Sequence, residues 1–426
     1  MIRKIIFIAV VIFAQGFAQR QKFRNEFEKP DLAQQFFYTE VHSVLRDSAN
    51  LISFSYRIPY SRLVFIKDDD RYLASFRLAL EITDTASNHV TRQIEEEKFY
   101  VNDFDETLNK NNYYQNVVSF NIKDGRYKIL PFFTDLHTNV QIKLRDLFLD
   151  TNQLINGIFY SPIIVSREKT LCHNDSLFTL TNFDDSFPYS DSTNEILIPC
   201  SDTSVKKINV VIRNNSDTVY RADIFDHFQS DIQFKACSGN DVVLGESKDH
   251  ILNNFIISDL PAFSEGEISI FVKADGGKVS KPFIKKVIWF DKPFSLRSPE
   301  AAIKLLKYIE PDSVINNLLR AKSDEYKEAL YNYWKKYRPS ARDTYNPLMK
   351  EYYSRIDFAA RNFATISGKS GIETDRAKIY IQFGAPQKIE RSSNQYGKVV
   401  ETWIYSKPKR EFVFIDNDGT GNFKLK

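Results

Sequence analysis

The sequence predicts a mainly β, multidomain protein with two tandem antiparallel β-sandwiches, then a helical segment and a small antiparallel sheet. The chain has 426 residues, more than one hydrophobic core usually holds. Its 35 Phe and 22 Tyr favour strands. Short apolar runs with period-two alternation fill the first two thirds, and helix-start signals appear mainly after them.

The N-terminus has the pattern of a secretory signal peptide. Residues 1–4 are a basic start, and an apolar run extends from Ile5 to about Ala18. This run is shorter than the ~20 residues that a spanning helix needs. The small residues Gly16 and Ala18 precede a cleavage point. We predict a signal peptide over residues 1–18, with an uncleaved anchor as the alternative.

Residues 34–152 are predicted to form the first β-sandwich. Alternating runs at 51–58, 72–82 and 117–122 are separated by short polar segments, as in antiparallel sandwiches. The acidic run at residues 68–70 suggests either a calcium site or a charged hairpin tip, and we favour the tip.

Residues 153–293 repeat the pattern and are predicted to form the second β-sandwich. Its strand-like runs include 195–198, 207–213 and 268–273. In an exported protein, two of the three cysteines could form one disulfide, and the pairing stays open. A zinc site is not supported, because no close Cys-x-x-Cys pair is present. The cysteines are Cys172, Cys200 and Cys237.

Residues 294–426 are predicted to be an α+β domain. Ser298 followed by Pro299 is a helix start, and Asn346 is a cap for a later helix. Helices are predicted over 299–308, 311–319, 323–337 and 347–365. Apolar residues three and four apart predict that the last two helices bury aromatic side chains against each other. In the third helix these are Tyr326, Leu330, Tyr333, Trp334 and Tyr337.

After Gly371 the sequence favours strands again. They are predicted over 378–383, 399–405, 411–415 and 422–425. The segment 416–421 resembles part of a calcium loop but lacks the glutamate that would complete it, so we predict a hairpin turn.

The last hundred residues contain a recurring set of aromatic, glycine and polar positions: Tyr333, Trp334, Asp343, Asn346, Tyr353, Arg355, Phe358, Ala359, Phe363, Gly371, Thr374, Asp375, Arg376, Gly384, Pro386, Trp403, Tyr405, Phe412, Phe414, Asp416 and Gly421. At these positions the chain resembles the GWxTD domain, a family of exported bacterial proteins typical of Bacteroidota. Two positions depart from the family pattern: Ile372 replaces the signature Trp, and Ala377 replaces a Gly. An apolar Ile372 is expected to pack. The resemblance implies an envelope location and no established reaction.

Near the end of the chain, a Gly-x-Pro turn, Gly384 to Pro386, is followed by a Trp-x-Tyr strand, Trp403 to Tyr405. In these two motifs the chain also resembles the small outer-membrane assembly lipoproteins with a β-lactamase-inhibitor-protein-like fold. This resemblance implies a scaffolding role in envelope machinery.

Nine residues form the candidate site, which we call the polar junction. At a predicted helix-to-strand junction, Thr374 or Asp375 is expected to accept backbone hydrogen bonds, and Asp375 to clamp Arg355 or Arg376. We interpret this as a structural fastening rather than an active site. The nine residues are Arg355, Gly371, Thr374, Asp375, Arg376, Gly384, Pro386, Trp403 and Tyr405.

The sequence assigns no catalytic residue, metal ligand or cofactor. All six His lie in the predicted sandwiches and form no tight ligand set, and the C-terminal domain contains neither His nor Cys. Carboxylate chemistry with Glu373 and Asp375 stays open, although neighbouring residues on a strand point to opposite faces.

Five Asp-Ser/Thr-apolar triplets resemble the acceptor motif for O-glycosylation in the Bacteroidota periplasm. The candidate acceptors are Ser48, Thr85, Ser176, Thr218 and Ser313.

The predicted function is a non-enzymatic interaction or scaffold protein of the bacterial cell envelope, in outer-membrane assembly or secretion. The alternative is a carboxylate-using envelope hydrolase that acts on carbohydrate or peptide. We expect a periplasmic location or a periplasm-facing outer-membrane complex, with a protein complex as partner and no nucleic acid. From Arg297 onward, 24 Lys and Arg face 16 Asp and Glu, so peripheral contact with an anionic membrane is a further expectation. The sequence leaves the oligomeric state open.

Overall fold

The structure is a computed structural model, and two compact units make up the described chain. One contains the described residues from Phe37 to Phe290, and the other contains those from Asp291 to Lys426. The predicted signal peptide lies outside the described residues. The described ranges are 37–46, 49–109, 112–151, 158–167, 176–181, 183–190, 194–237, 241–245, 250–275, 277, 281–337, 345–366 and 368–426.

Two sheets form the first part of the N-terminal unit. The smaller has strand order β1-β2-β6, and the larger has the order β3-β4-β7-β8, with β5 paired to β4 and β9 to β7. A short helix, α1 (Phe104–Leu108), follows β5. The strands are β1 (Tyr38–Arg46), β2 (Ala49–Pro59), β3 (Phe65–Asp68), β4 (Arg71–Asp84), β5 (His89–Val101), β6 (Tyr113–Ile122), β7 (Arg126–Asp135), β8 (Gln141–Lys143) and β9 (Leu147–Asp150).

These two sheets pack face to face as a sandwich. One core contains Phe54 and Tyr56 of the smaller sheet and Phe76 and Leu80 of the larger one, all nearly inaccessible to solvent. The period-two pattern therefore predicted the buried faces of β2 and β4 correctly. The acidic run at 68–70 forms the β3–β4 turn, with Asp69 at a φ of 51°, which confirms the hairpin tip.

Two further sheets occupy the second part of this unit. One has the order β16-β19-β13-β10-β11-β18-β17, and the other β12-β21-β20-β14-β15, in which β12 and β21 are parallel. The strands are β10 (Ile163–Ser166), β11 (Ser176–Leu180), β12 (Phe187–Pro188), β13 (Glu195–Cys200), β14 (Ile208–Asn214), β15 (Asp217–Ile224), β16 (His227–Ser230), β17 (Gln233–Cys237), β18 (Asp241–Gly245), β19 (Leu252–Ile257), β20 (Gly266–Ala274) and β21 (Phe283–Ile288).

The two parts of the N-terminal unit share contacts. Val44 of β1 packs into the core that contains Val165 and Leu244. The guanidinium of Arg57 donates to the carbonyl of Thr181 at 3.0 Å. Of the three cysteines, Cys237 is disulfide-bonded, and Cys200 is free and buried. Cys172 lies outside the described residues.

The C-terminal unit contains helices first and a four-stranded sheet last. Five helices and three short 3-10 turns, Phe294–Leu296, Leu306–Tyr308 and Gly371–Glu373, precede the antiparallel sheet β22-β23-β24-β25. Among the described residues, no helix has the length and hydropathy that a membrane span requires. The elements are α2 (Pro299–Leu305), α3 (Asp312–Leu318), α4 (Tyr326–Lys335), α5 (Pro347–Asn362), α6 (Asp375–Phe383), β22 (Lys388–Ser393), β23 (Val399–Ser406), β24 (Lys409–Asp416) and β25 (Phe423–Leu425).

The predicted caps are confirmed, and the aromatic packing is confirmed for Tyr333 and Trp334, whereas Tyr337 is 42% exposed. The Ser298 side chain accepts from the N–H of Ala301, and Asn346 accepts from the N–H of Met349. The Trp334 ring on α4 lies 5.4 Å from the Tyr352 ring on α5, centroid to centroid. The aromatic stripe is therefore an interface between two helices.

Candidate functional site

The prediction of a strand over residues 378–383 is wrong, because this segment lies in helix α6. Thr374 is the N-cap, and its Oγ1 accepts a hydrogen bond from the N–H of Ala377 at 3.2 Å. Gly384 ends the helix with a φ of 79°, a conformation that favours glycine. The apolar run was too short for its periodicity to separate helix from strand, whereas the Thr cap and the Gly stop are helix signals.

Gly371 brings the start of the polar junction against helix α5. A Cβ at this position would lie 2.3 Å from the carbonyl oxygen of Ala359 and 2.6 Å from that of Ala360. Only a residue without a side chain fits this approach. The next residue, Ile372, is buried, as expected for an apolar residue at the signature Trp position.

Thr374 joins the 3-10 turn to helix α6. Its Oγ1 donates to the carbonyl of Gly371 at 2.8 Å while it accepts from Ala377. The side chain is completely buried. The prediction that a Thr or Asp here accepts a free backbone N–H is confirmed, although the junction joins two helical segments.

The predicted pairing of Asp375 with Arg355 or Arg376 is wrong. Asp375 accepts from the Lys378 ammonium at 3.1 Å and from the Leu425 N–H at 3.2 Å. As the first residue of α6, Asp375 has Lys378 on the same helix face, and its second oxygen reaches strand β25. Burial opposes ionisation, but these hydrogen bonds and nearby lysines outweigh it and lower the pKa of Asp375. A general acid usually needs a raised pKa instead.

Arg376 pairs with Glu401 of β23, a residue that the sequence reading did not select. The guanidinium of Arg376 lies 3.3 Å from the Glu401 carboxylate, and the side chains are 12% and 3% exposed. Arg376 also donates to the carbonyl of Gly421 at 3.1 Å and stacks over the Phe423 ring at 4.2 Å. Burial lowers the pKa of Arg376, and the Glu401 charge opposes this effect.

Glu401 is the centre of this charged cluster. Its two oxygens also accept from Arg391 at 2.9 Å and from the indole N–H of Trp403 at 3.3 Å. Three donors thus offset the desolvation of one buried carboxylate. The sequence contained one signal for this pair: Glu401 lies in β23 two residues before Trp403, and therefore on the same face of the strand. A charge on a core-facing position needs a partner, so Glu401 could have been predicted to bind a basic residue.

Arg355 lies at the opposite end of helix α6. It donates to the carbonyls of Ile381 and Gln382, both at 3.4 Å, and pairs with Glu351 on its own helix at 2.7 Å. Its guanidinium carbon lies 3.1 Å from the position that a Cβ on Gly384 would occupy. A cation at a helix C-terminus is favourable, so Arg355 stabilises the end of α6.

Trp403 and Tyr405 anchor the sheet to the helices. The Trp403 ring lies 5.6 Å from the Phe363 ring, and the Tyr405 hydroxyl donates to the carbonyl of Gly384 at 2.9 Å. Pro386 follows within the link to β22 and is partly buried. The structure therefore places all nine candidate residues around helix α6, and the hydrogen bonds within the group hold backbone and side chains together.

The other face of this sheet, which we call the outer face, is partly exposed. The register places Val400 opposite Ile415 and Thr402 opposite Val413, and all four side chains are partly accessible. Ile404 continues the same row on β23. Glu401, Trp403 and Tyr405 alternate with them and point to the helices.

Basic residues dominate the exposed parts of this sheet. The segment 388–426 has five acidic residues, of which Glu401 and Asp416 are buried. The turn 416–421 joins β24 to β25, with Gly419 and Gly421 at positive φ, so the predicted hairpin is confirmed. The eight basic residues are Lys388, Arg391, Lys398, Lys407, Lys409, Arg410, Lys424 and Lys426.

Three of the candidate glycosylation positions are exposed. Thr85 lies in the β4–β5 turn, Thr218 near the start of β15, and Ser313 in the first turn of α3. Ser48 lies outside the described residues. Ser176 begins β11, where the side chains of the first two residues are not described.

Residues 279–425 match the GWxTD domain family. A comparison with curated proteins finds no match for the chain. Among solved structures, the chain is similar to the purple acid phosphatase PPD1 from yellow lupin (Lupinus luteus) seeds with a TM-score of 0.19 and 8% identity. That similarity covers 57% of this chain and 39% of the phosphatase, and at this TM-score it carries no functional argument. Of the positions that resemble the family pattern, Asp343 lies outside the described residues.

Proposed function

We propose that this chain, which carries a GWxTD domain, is a non-enzymatic scaffold of the bacterial cell envelope in outer-membrane assembly or secretion. The outer face of its C-terminal sheet is the surface that binds the partner. The observation that supports this proposal is a partly exposed apolar row, formed by Val400, Ile404, Val413 and Ile415. Its neighbours in the register are the basic residues Lys388 and Lys424 and the acidic residues Glu390 and Glu411.

The outer face has the composition of a protein-binding surface. β-Branched apolar side chains cluster on two neighbouring strands, Val400 and Ile404 on β23 and Val413 and Ile415 on β24. Contiguous exposed apolar patches with polar rims mark interaction sites more often than scattered apolar residues do. A rigid sheet also presents such a row with little loss of conformational entropy on binding.

The polar junction supports the same role. Two of its charged groups are used inside the domain: Arg376 binds Glu401, and Asp375 binds Lys378 and a backbone N–H. These contacts connect helix α6 to strands β23 and β25. The polar junction therefore acts by holding the outer face in a fixed shape.

The charge of the segment suggests an acidic partner. The segment 388–426 contains eight basic residues but only three carboxylates that are not buried, Glu390, Glu411 and Asp418. Complementary charge increases the association rate and selects partners. The disulfide of Cys237 supports an oxidising compartment, as expected for an exported protein.

The test is crosslinking and pull-down of the native protein from its envelope, compared with a Val413→Glu variant. We expect the wild type to recover a defined envelope protein complex and the variant to lose it. The matched control is Ile366→Glu, since Ile366 is 88% exposed in the same unit and is not part of the outer face row. Recovery of the wild-type protein alone, or equal recovery by both variants, would contradict the proposal.

A further inference from the structure

Strand β5 has one backbone edge that no described strand pairs with along its 13 residues. β5 pairs with β4 from Tyr72↔Val101 to Thr83↔His89, and within the described ranges it pairs with no other strand. A long, exposed edge of this kind is a template for pairing with another strand. Its exposed side is also partly apolar, because Val90, Ile94 and Tyr100 are between 42% and 49% exposed.

Two opposite charges on β5 lie at equal distances from Ile94. Arg92 lies two residues before it and Glu96 two residues after it, on the same exposed face. On β4, their cross-strand neighbours are Glu81 and Arg77, respectively. Arg77 donates to Glu96 at 2.7 Å, and Arg92 lies 3.7 Å from Glu81.

We propose that a second copy of this chain binds β5 edge to edge, in antiparallel register, with the two-fold axis at Ile94. A two-fold axis perpendicular to the sheet keeps each face on its own side, so Arg92 lies opposite the partner's Glu96 and Glu96 opposite the partner's Arg92. Ile94 meets the partner's Ile94 on the same face. Across the dimer interface, four charged side chains then follow one another with alternating sign: Arg77, Glu96, the partner's Arg92 and the partner's Glu81.

Neighbouring registers lack this complementarity. An axis at Arg92 or at Glu96 places two like charges opposite each other, and an axis at Glu95 places Arg92 opposite the partner's Lys98. An axis at Gln93 pairs no opposite charges on the exposed face. An axis at Glu97 would pair Glu96 with the partner's Lys98, but it would also place the two Glu97 carboxylates opposite each other at the axis. Opposite charges on facing strands are stabilising and like charges destabilising, so the charge pattern favours Ile94 as the centre.

The test is analytical ultracentrifugation of the chain from Gln19 onward over a range of micromolar concentrations. We expect a monomer–dimer equilibrium for the wild type. Ile94→Lys places two cations at the axis and should raise the dimer dissociation constant about tenfold or more. Ile142→Lys is the matched control, because Ile142 is 46% exposed on β8 of the same sheet and should leave the constant unchanged.

The register has its own test by charge exchange. Arg92→Glu and Glu96→Arg should each weaken self-association, because each variant places like charges across the seam. An equimolar mixture should form a mixed dimer, since the substituted position of each variant then faces the opposite charge on the other variant. Thermal unfolding of each variant checks that it is folded. A wild type that stays monomeric, or dimers that neither Ile94→Lys nor Arg92→Glu weakens, would overturn the proposal, and failure of the mixture would overturn the register.

Discussion

The guanidinium of Arg376 and the carboxylate of Glu401 form a buried ion pair, 3.3 Å apart, between the first turn of helix α6 and strand β23. Removing one member of such a pair leaves an uncompensated charge in the protein interior. Glu401→Gln should therefore lower the free energy of unfolding by about 3–5 kcal/mol. Urea denaturation followed by circular dichroism measures this change.

The control for that experiment is Arg391→Met. Arg391 binds the same carboxylate, but its side chain is 73% exposed. Its loss should lower the stability by less than about 1 kcal/mol. If Glu401→Gln and Arg391→Met lowered the unfolding free energy equally, the burial of Arg376 would not make its pair with Glu401 more stabilising than an exposed pair.

Thr374→Ala removes the N-cap of helix α6. The Ala377 N–H would lose its acceptor in a completely buried position. We expect a loss of about 1–2 kcal/mol in unfolding free energy. Thr374→Ser keeps the hydroxyl and should retain most of the stability, so a loss as large as that of the Ala variant would count against the capping role.

Gly371→Ala introduces a Cβ where the backbone of helix α5 leaves no space. The contact with the Ala359 carbonyl would be 2.3 Å, so the 3-10 turn or the helix must shift. The expected loss is about 1–3 kcal/mol, as for other overpacked sites. Gly397→Asn is the control, because nothing lies within 4 Å of a Cβ there and Asn tolerates the φ of 73°. Similar melting temperatures for both variants would refute the steric argument.

The stability that Asp375 contributes should depend on pH. Because the pKa of Asp375 is lowered in the folded protein, its contribution is present above 3.8, the value of an unperturbed aspartate, and is lost as the pH falls through the folded pKa. The difference in unfolding free energy between wild type and Asp375→Asn should thus be largest near neutral pH and vanish in acid. A difference that is independent of pH would contradict the assigned hydrogen bonds to Lys378 and Leu425.

Cys200 should be unreactive in the folded protein. Burial raises the pKa of its thiol to about 11, so little thiolate forms at neutral pH. We expect mass spectrometry after iodoacetamide treatment to show no modification of Cys200 in the native chain and its modification after unfolding without reductant. Rapid labelling of Cys200 in the native protein would show that the thiol is accessible.

The elements predicted well from the sequence have unambiguous local signals. The caps at Ser298 and Asn346 and the Asp416–Gly421 turn follow from the chemistry of single residues. The buried faces of β2, β4 and β23 follow from alternation. In these segments the local preference and the tertiary environment agree.

The sequence-based predictions are wrong where tertiary contacts determine the secondary structure or the partner of a charged group. Helix α6 is short, and its apolar run fits either period. Strand β22 was missed because all six of its residues are exposed and show no alternation. The partner of Arg376 lies 25 positions along the chain on a strand, so local reasoning chose the nearer Asp375 instead. Long-range charge pairing has no local sequence signal other than an ionisable residue on a buried face.

Because its tryptophans are buried, the unfolding of the C-terminal unit can be followed by tryptophan fluorescence. The three indoles, Trp289, Trp334 and Trp403, are each at most 5% exposed, and two of them lie in that unit. Emission from the folded chain should be blue-shifted, and most of the red shift on denaturation should report the opening of the helices and the last sheet. The single indole of the other unit gives a smaller, separate signal. Replacing Trp289 by Phe would therefore yield a chain whose fluorescence follows the C-terminal unit alone.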